Sequence, residues 1–196
     1  MTYAIIGFGK LGQALAKAFA RSSIDVAVAT TRDPASFSAE AAAIGPGIQP
    51  VTLAQALTAD IIFLAVRYES HPDVARALPD WQGKTIVDVT NAYGVELAGQ
   101  SSAMVVQQAF SGSTLVKGFN HLVAGVLEQD PSVHGGRRVV FLASDDDGAA
   151  TSIATLAGQL GFAPVKLGKL AEGGLLVQSH GKSWGQLIFK DLVQFN

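Results

Sequence analysis

The sequence predicts an α/β fold: a doubly wound, mostly parallel sheet with a short C-terminal helical extension. Three observations carry this. Short apolar runs recur at residues 3–6, 26–29, 61–66, 86–89, 139–143 and 164–167, and Leu115, Val116 and Phe119 form a further cluster. The runs are continuous rather than alternating, as in strands buried on both faces. Helical spacing fills the intervals, so strands and helices alternate in the pattern of a parallel sheet covered on both sides.

The first run, Tyr3-Ala4-Ile5-Ile6, leads into Gly7-Phe8-Gly9-Lys10-Leu11-Gly12. Leu11, Leu15, Ala18 and Phe19 then mark one helical face. The run at 26–29 ends at Thr30-Thr31-Arg32, and Asp33 stands as a cap for the segment beginning at Pro34. Residues 35–43 are alanine-rich at helical spacing. Three later runs end at Ala65-Val66-Arg67, Thr90-Asn91-Ala92 and Phe119-Asn120-His121. Ser144 and Asp145 are capping candidates for a helix over residues 149–160. Beyond Leu170 a glycine-rich stretch precedes a helical stripe of Trp184, Leu187, Ile188, Leu192 and Phe195, with Phe189 and Val193 on a second face. A terminal helix apolar on two sides packs on two things: its own domain, and a partner subunit or a ligand beneath a lid. The expected division is a nucleotide-binding domain over residues 1–168 and an extension over 169–196 for substrate pocket and dimer contact.

Composition narrows the function. A chain of 196 residues makes one domain, large enough for a full core. Charged residues are 15% and hydrophobic residues 48%, against a usual charged share of about 25%. A partner subunit, or a large two-sided core, accounts for so bland a surface. There is no cysteine, which removes disulfides, thiolate nucleophiles and Cys-ligated metal. A net charge of -2 without a basic run argues against nucleic acid. No apolar run approaches the ~20 residues that span a bilayer, and the first residues lack a charged leader. The expectation is a cytoplasmic protein with no membrane partner.

The glycine run matches G-x-G-x-x-G. Between a strand and an amphipathic helix it has the context of a dinucleotide-binding, Rossmann-type turn. Gly7 permits the tight turn, Gly9 lets a pyrophosphate approach the backbone, and Gly12 lets helix and strand pack closely. The helix N-terminus offers free N–H groups to the phosphates. About 20 positions after this motif, an acidic residue would hold the ribose 2′-hydroxyl of NAD. This chain has Thr30, Thr31 and Arg32 instead, two hydroxyls and a guanidinium suited to the 2′-phosphate of NADP(H). Ala65, Val66 and Arg67 rim the nicotinamide crevice, and Asn91 and Asn120 are natural amide-recognition groups.

Other chemistries lack their residues. The Tyr-x-x-x-Lys pair is absent, because Gly7, Pro72 and Leu97 stand four after the three tyrosines. His71, His121, His134 and His180 are scattered, so no metal site is expected. Gly181-Lys182-Ser183-Trp184-Gly185 matches the hydrolase elbow, but no histidine follows it. Gly83-Lys84-Thr85 and Gly181-Lys182-Ser183 lack the first P-loop glycine, where Leu78 and Leu176 sit. Asp145, Asp146 and Asp147 open a helix, which capping and the helix dipole explain without a metal. If one side chain assists proton transfer, His121 is the candidate, since an imidazole titrates near neutral pH.

An ordered set of segments carries a resemblance. It comprises the glycine motif, Thr30-Thr31-Arg32, residues 59–66, 83–91 and 116–120, then Phe141-Leu142-Ala143-Ser144-Asp145-Asp146 and Leu160-Gly161-Phe162. Over about residues 3–178 the chain resembles the coenzyme F420-dependent NADP oxidoreductase family. The cytosolic reductase domains of membrane metalloreductases are a related branch. The resemblance implies a Rossmann domain with a small helical C-terminal part, a homodimer, and hydride transfer between NADP(H) and a deazaflavin or flavin. On it, Gly7, Phe8, Gly9, Lys10, Leu11 and Gly12 cradle the pyrophosphate, and Thr31 and Arg32 take the 2′-phosphate. Val66 and Asn91 line the ribose and nicotinamide side, with Asn120 near the nicotinamide. Two departures fall where the second substrate binds: Arg67-Tyr68 follows Ala65-Val66 where the family often has proline, and the tail from Gly173-Gly174 to Trp184-Gly185 is its own. F420, FMN and FAD are therefore all open as the small-molecule hydride acceptor. A reductase of a small quinone, imine or carbonyl compound and a non-catalytic NADP(H)-binding redox sensor are the alternatives.

Overall fold

Tyr3-Ala4-Ile5-Ile6 carries no charge, so both faces of a strand built from it need cover. The computed structural model, which describes residues 1–191, supplies that cover on each side. Ile5 lies in one hydrophobic core with Leu15, Phe19, Val28, Phe63 and Val116. Ala4 and Ile6 lie in a second with Ile62, Leu64, Ile86 and Leu115. The sheet separates the two.

The chain runs β1 (Tyr3–Ile6), α1 (Lys10–Arg21), β2 (Val26–Ala29), α2 (Ser38–Ile44), β3 (Ile48–Pro50), α3 (Leu53–Ala56), β4 (Ile61–Leu64), α4 (His71–Ala75) and β5 (Thr85–Asp88). It continues α5 (Ser102–Ala109), β6 (Thr114–Gly118), α6 (Ala124–Leu127), β7 (Ser132–Val133), β8 (Gly136–Ser144), α7 (Asp147–Gln159), β9 (Ala163–Lys166), α8 (Gly173–Val177) and β10 (Phe189–Lys190). Strands β3, β2, β1, β4, β5 and β6 lie side by side, all parallel. The order reverses between β1 and β4, so their C-terminal ends frame the crevice where such sheets bind ligands. β8 joins β6 antiparallel, pairing Val116 with Ser144 and Gly118 with Leu142, and β9 runs parallel to β8.

Several local expectations change. β3 is a three-residue edge strand ending in Pro50, too short to show as an apolar run. The cap of α7 is Asp146, whose carboxylate accepts from the Ala149 amide at 2.7 Å. Ser144 and Asp145 are engaged elsewhere: Ser144 Oγ donates to the Leu115 carbonyl at 2.7 Å, and Asp145 accepts from the Leu170 amide at 3.0 Å. The larger correction is in the tail. The extension has a helix, α8, but Trp184, Leu187 and Ile188 are not on one. Residues 178–188 turn repeatedly, with Gly185 at φ +75° and His180 at φ +64°, and Phe189 then pairs with Arg138 in β10. A Cβ at Gly181 would sit 2.4 Å from the Leu175 carbonyl oxygen, so the chain folds back tightly on α8 there. The expected positions Leu192, Val193 and Phe195 lie outside the described residues. Among the described residues no helix is long and apolar enough to cross a membrane, and no cluster of His, Cys, Asp and Glu could hold a metal.

Candidate active site

The three glycines after β1 are constrained in three different ways. Gly7 has φ +103°, donates its N–H to the Ala29 carbonyl at 2.8 Å, and has no room for a Cβ, which would lie 2.3 Å from the Ala65 carbonyl oxygen. At Gly12 a Cβ would lie 1.9 Å from the Gly7 carbonyl oxygen. Gly9 differs: its φ is -77° and a Cβ there would meet nothing within 4 Å. The fold itself requires glycine at positions 7 and 12. At position 9 the space is left open at the N-terminus of α1, where unpaired N–H groups and the helix dipole favour an anion. That cradle fits the pyrophosphate of a dinucleotide. Phe8 contributes to the loop through its backbone, because its ring is buried against Phe37.

At the end of β2, the Arg32 amide donates to Thr30 Oγ1 at 2.9 Å, and Thr31 is exposed. The Arg32 guanidinium lies over the Phe37 ring, 5.2 Å from its centroid, and reaches Glu40 in α2 at 3.3 Å and 3.4 Å. Asp33 caps the following turn as expected, accepting from the Ala35 amide at 2.8 Å. The hydroxyls and guanidinium singled out in the sequence thus share one loop on the β2 side of the crevice.

On the other side lies a cleft of about 710 Å³. Gly9, Lys10 and Leu11 form one end, and Ala65, Val66 and Arg67 line its wall. Asn91, Asn120 and His121 line it further along. Phe119, at φ +62° just past β6, turns the chain so that Asn120 faces Asn91. Asn91 Nδ2 donates to the Asn120 carbonyl at 2.9 Å, and Asn120 Nδ2 donates to Asn91 Oδ1 at 3.0 Å and the Val177 carbonyl at 2.7 Å. A buried ion pair fixes the approach to Asn91. Lys117 Nζ donates to Asp88 Oδ2 at 3.0 Å and to the Thr90 carbonyl at 2.5 Å. Asp88 Oδ1 accepts from the Thr90 amide at 2.9 Å and its hydroxyl at 2.7 Å. Both polar groups of the Thr90 backbone are therefore held. Burial pulls the Lys117 pKa down, and Asp88 opposes it.

The tail closes the cleft. Trp184 Nε1 donates to Asn91 Oδ1 at 3.2 Å, and the Gly185 amide donates to the His121 carbonyl at 3.1 Å. Trp184 lines the cleft with Tyr68 and Tyr93, and packs edge-on against Tyr93 at 6.0 Å. Both departures noted in the sequence, Arg67-Tyr68 and the tail, lie on this wall.

His121 does not titrate near neutral pH. Its side chain is buried, its ring packs against Phe141 at 4.9 Å, and neither ring nitrogen has a hydrogen-bond partner. Burial pushes its pKa down to about 4 against a weaker pull from the Val139 carbonyl, so it is a neutral imidazole at pH 7. The Tyr68 hydroxyl and Asn120 Oδ1 are also buried without partners. Burial, then Asp88 and Glu69, raise the tyrosine pKa and keep that hydroxyl protonated.

Glu40, Tyr93 and the Asp88–Lys117 pair were not singled out as site residues in the sequence, whereas Tyr68 and Trp184 fall in the two departures noted there. Lys117 left a signal: a lone charge inside an apolar cluster, level with Asp88 on the next strand.

The family described as NADP oxidoreductase, coenzyme F420-dependent matches residues 2–92. A hypothetical protein of Sinorhizobium meliloti superposes with a TM-score of 0.94 at 38% identity, covering 97% of this chain and 96% of that one. A candidate F420-dependent NADP-reductase of Arthrobacter superposes with a TM-score of 0.71 at 25% identity, covering 87% and 86%. Metalloreductase STEAP2 of Mus musculus is 31% identical over 173 residues, 87% of this chain and 34% of that protein. The chain spans about a third of the length of the curated relatives it matches.

Proposed function

The chain belongs to the coenzyme F420-dependent NADP oxidoreductase family, and on that premise we propose that it transfers hydride between NADP(H) and a flat deazaflavin or flavin-like acceptor, F420, FMN or FAD. The observation that carries this is the cleft. It runs from the open cradle at Gly9 along Val66 and Asn91 to an aromatic wall of Tyr68, Tyr93 and Trp184. The nicotinamide supplies the hydride, and a flavin-like ring is its own electron sink. The protein's share is binding and orientation. The α1 N-terminus and the Gly9 backbone hold the diphosphate, and Arg32 with Thr30 and Thr31 holds the 2′-phosphate. Asn91, held by Thr90 and its bonds to Asn120, orients the carboxamide end. The aromatic wall stacks the acceptor and excludes water, and orientation of two rings can supply much of the acceleration.

The unpartnered Tyr68 hydroxyl supports a second reading, reduction of a small imine or carbonyl compound to which that hydroxyl donates. In either case the C-terminal extension, through Trp184, serves as a wall of the substrate pocket, and the exposed Leu187 and Ile188 are covered by a second copy in a cytoplasmic homodimer. Calorimetric titration with NADP+ and NAD+, followed by NADPH oxidation with F420, FMN, FAD or a cyclic imine, tests the proposal. Preference for NADP+ with turnover of a flavin-like acceptor supports it, and turnover of the imine alone selects the second reading. Binding without turnover of any acceptor leaves the sensor.

A further inference from the structure

The Arg32 fork is not free. Its two terminal nitrogens face the two carboxylate oxygens of Glu40, at 3.3 Å and 3.4 Å. We infer that Glu40 tunes the choice of nucleotide: its carboxylate occupies the Arg32 fork as an internal stand-in for the 2′-phosphate, which must be displaced when NADP(H) binds. This rests on the NADP reading of Thr30-Thr31-Arg32.

Three features favour exchange over a permanent bond. The contacts are longer than the roughly 2.7–2.9 Å of a tight charge-assisted pair. Both side chains are about half exposed, at 45% and 48%, so water can take over either group during exchange. The guanidinium keeps its place without Glu40. It lies over Phe37, which is fully buried, and its backbone is tied to Thr30 Oγ1. The fork therefore stays at the end of β2 whichever anion it holds. Asp33, the other nearby acid, is committed to the Ala35 amide. A phosphate brought to the fork meets the Glu40 carboxylate as a like charge, whereas NAD(H) has no 2′-phosphate to bring there and leaves the pair intact.

The test compares the wild type with Glu40→Gln and Glu40→Ala, titrating NADP+ and NAD+ into each by calorimetry. Glu40 is on the surface of α2, and thermal unfolding verifies that each variant is folded. Removing an exposed pair of this kind is expected to tighten NADP+ binding about two- to fivefold. NAD+ affinity stays unchanged, and the gain shrinks as salt rises. An NADP+ affinity that is unchanged or weaker in both variants overturns the inference, as does an equal gain for NAD+. If the wild type prefers NADP+ and the variants match it, this inference alone falls. If the wild type binds both nucleotides alike, the NADP reading falls as well.

Discussion

Replacing Gly9 and Gly12 by alanine, one at a time, separates what the fold needs from what the ligand needs. At Gly12 the added methyl lands 1.9 Å from the Gly7 carbonyl oxygen, a backbone atom fixed by the neighbouring turn. Overpacking costs about 1–3 kcal/mol, and a clash with backbone belongs at the upper end. Helix propensity returns up to about 1 kcal/mol, leaving a net loss of about 2 kcal/mol. For a chain of this size that lowers Tm by about 4–8 °C. At Gly9 the methyl meets nothing within 4 Å and φ is an ordinary -77°. The entropy gained from a less flexible unfolded chain and the poorer helix cap are each below about 1 kcal/mol and opposed in sign. Tm should stay within about 2 °C. Binding reverses the ranking. The Gly9 methyl occupies the approach of the diphosphate, and loss of two charge-assisted hydrogen bonds weakens NADP+ by at least about 100-fold. Thermal unfolding and calorimetric titration of both variants check this. A folded Gly9→Ala protein with wild-type NADP+ affinity would refute the assignment of the cradle. A Gly9→Ala protein destabilised as much as Gly12→Ala would refute the geometry.

Three further outcomes follow from the same site. Arg32→Ala should weaken NADP+ by about 10- to 100-fold, the worth of one charge-assisted contact, while leaving NAD+ nearly unchanged in parallel titrations. Lys117→Met strands the Asp88 carboxylate in a fully buried position, and should cost about 3–5 kcal/mol in urea unfolding. The double variant Asp88→Asn with Lys117→Met should recover most of that; if it recovers none, the loss is one of packing rather than charge. For His121, burial lowers the folded pKa from 6.5 to about 4, so between those values the unfolded state binds more protons and stability rises with pH. About 3 kcal/mol present above pH 6.5 is lost as pH falls toward 4. Asp60, held below the usual carboxylate range by the Thr2 amide and hydroxyl, gives way only at lower pH. Urea unfolding at about pH 7 and about pH 4.5 should show this loss in the wild type and a much smaller one in His121→Phe; equal losses would contradict it.

The glycine turn between β1 and α1 was legible because its constraints are local. Gly7, Gly9 and Gly12 lie within six residues, and the strand before them and the helix after them announce themselves by composition. The loop at Thr30 needed only its distance from the motif. Long-range pairing was less visible. β8 has an apolar run like any parallel strand, and nothing in that run shows that it pairs antiparallel with β6 and with the two-residue strand β7. The tail misled because Trp184, Leu187 and Ile188 have helical spacing while Gly181 and Gly185 interrupt it. Periodicity counts where apolar residues fall and not whether the backbone between them can stay helical. His121 was visible as a residue, but its environment was not. Only Phe141 and the surrounding burial, brought from another strand, make it neutral.

The two halves of the crevice are also held by different means. Around the proposed diphosphate site the determinants are backbone: a positive φ at Gly7, a missing Cβ at Gly12 and amides at the α1 N-terminus. Such features tolerate no gradual change. Around the proposed acceptor site they are side chains resting on a hydrogen-bonded floor. The Asp88–Lys117 pair fixes Thr90, Thr90 fixes the start of Asn91, and Trp184 reaches Asn91 from a tail anchored at Val177 and β10. Tyr68, Tyr93 and Trp184 line the cleft and lie outside the β1–β4 pairing. On the proposed reading, the glycine motif and the Thr30–Arg32 loop point to the cofactor in the sequence, whereas the acceptor has to be read from the aromatic wall.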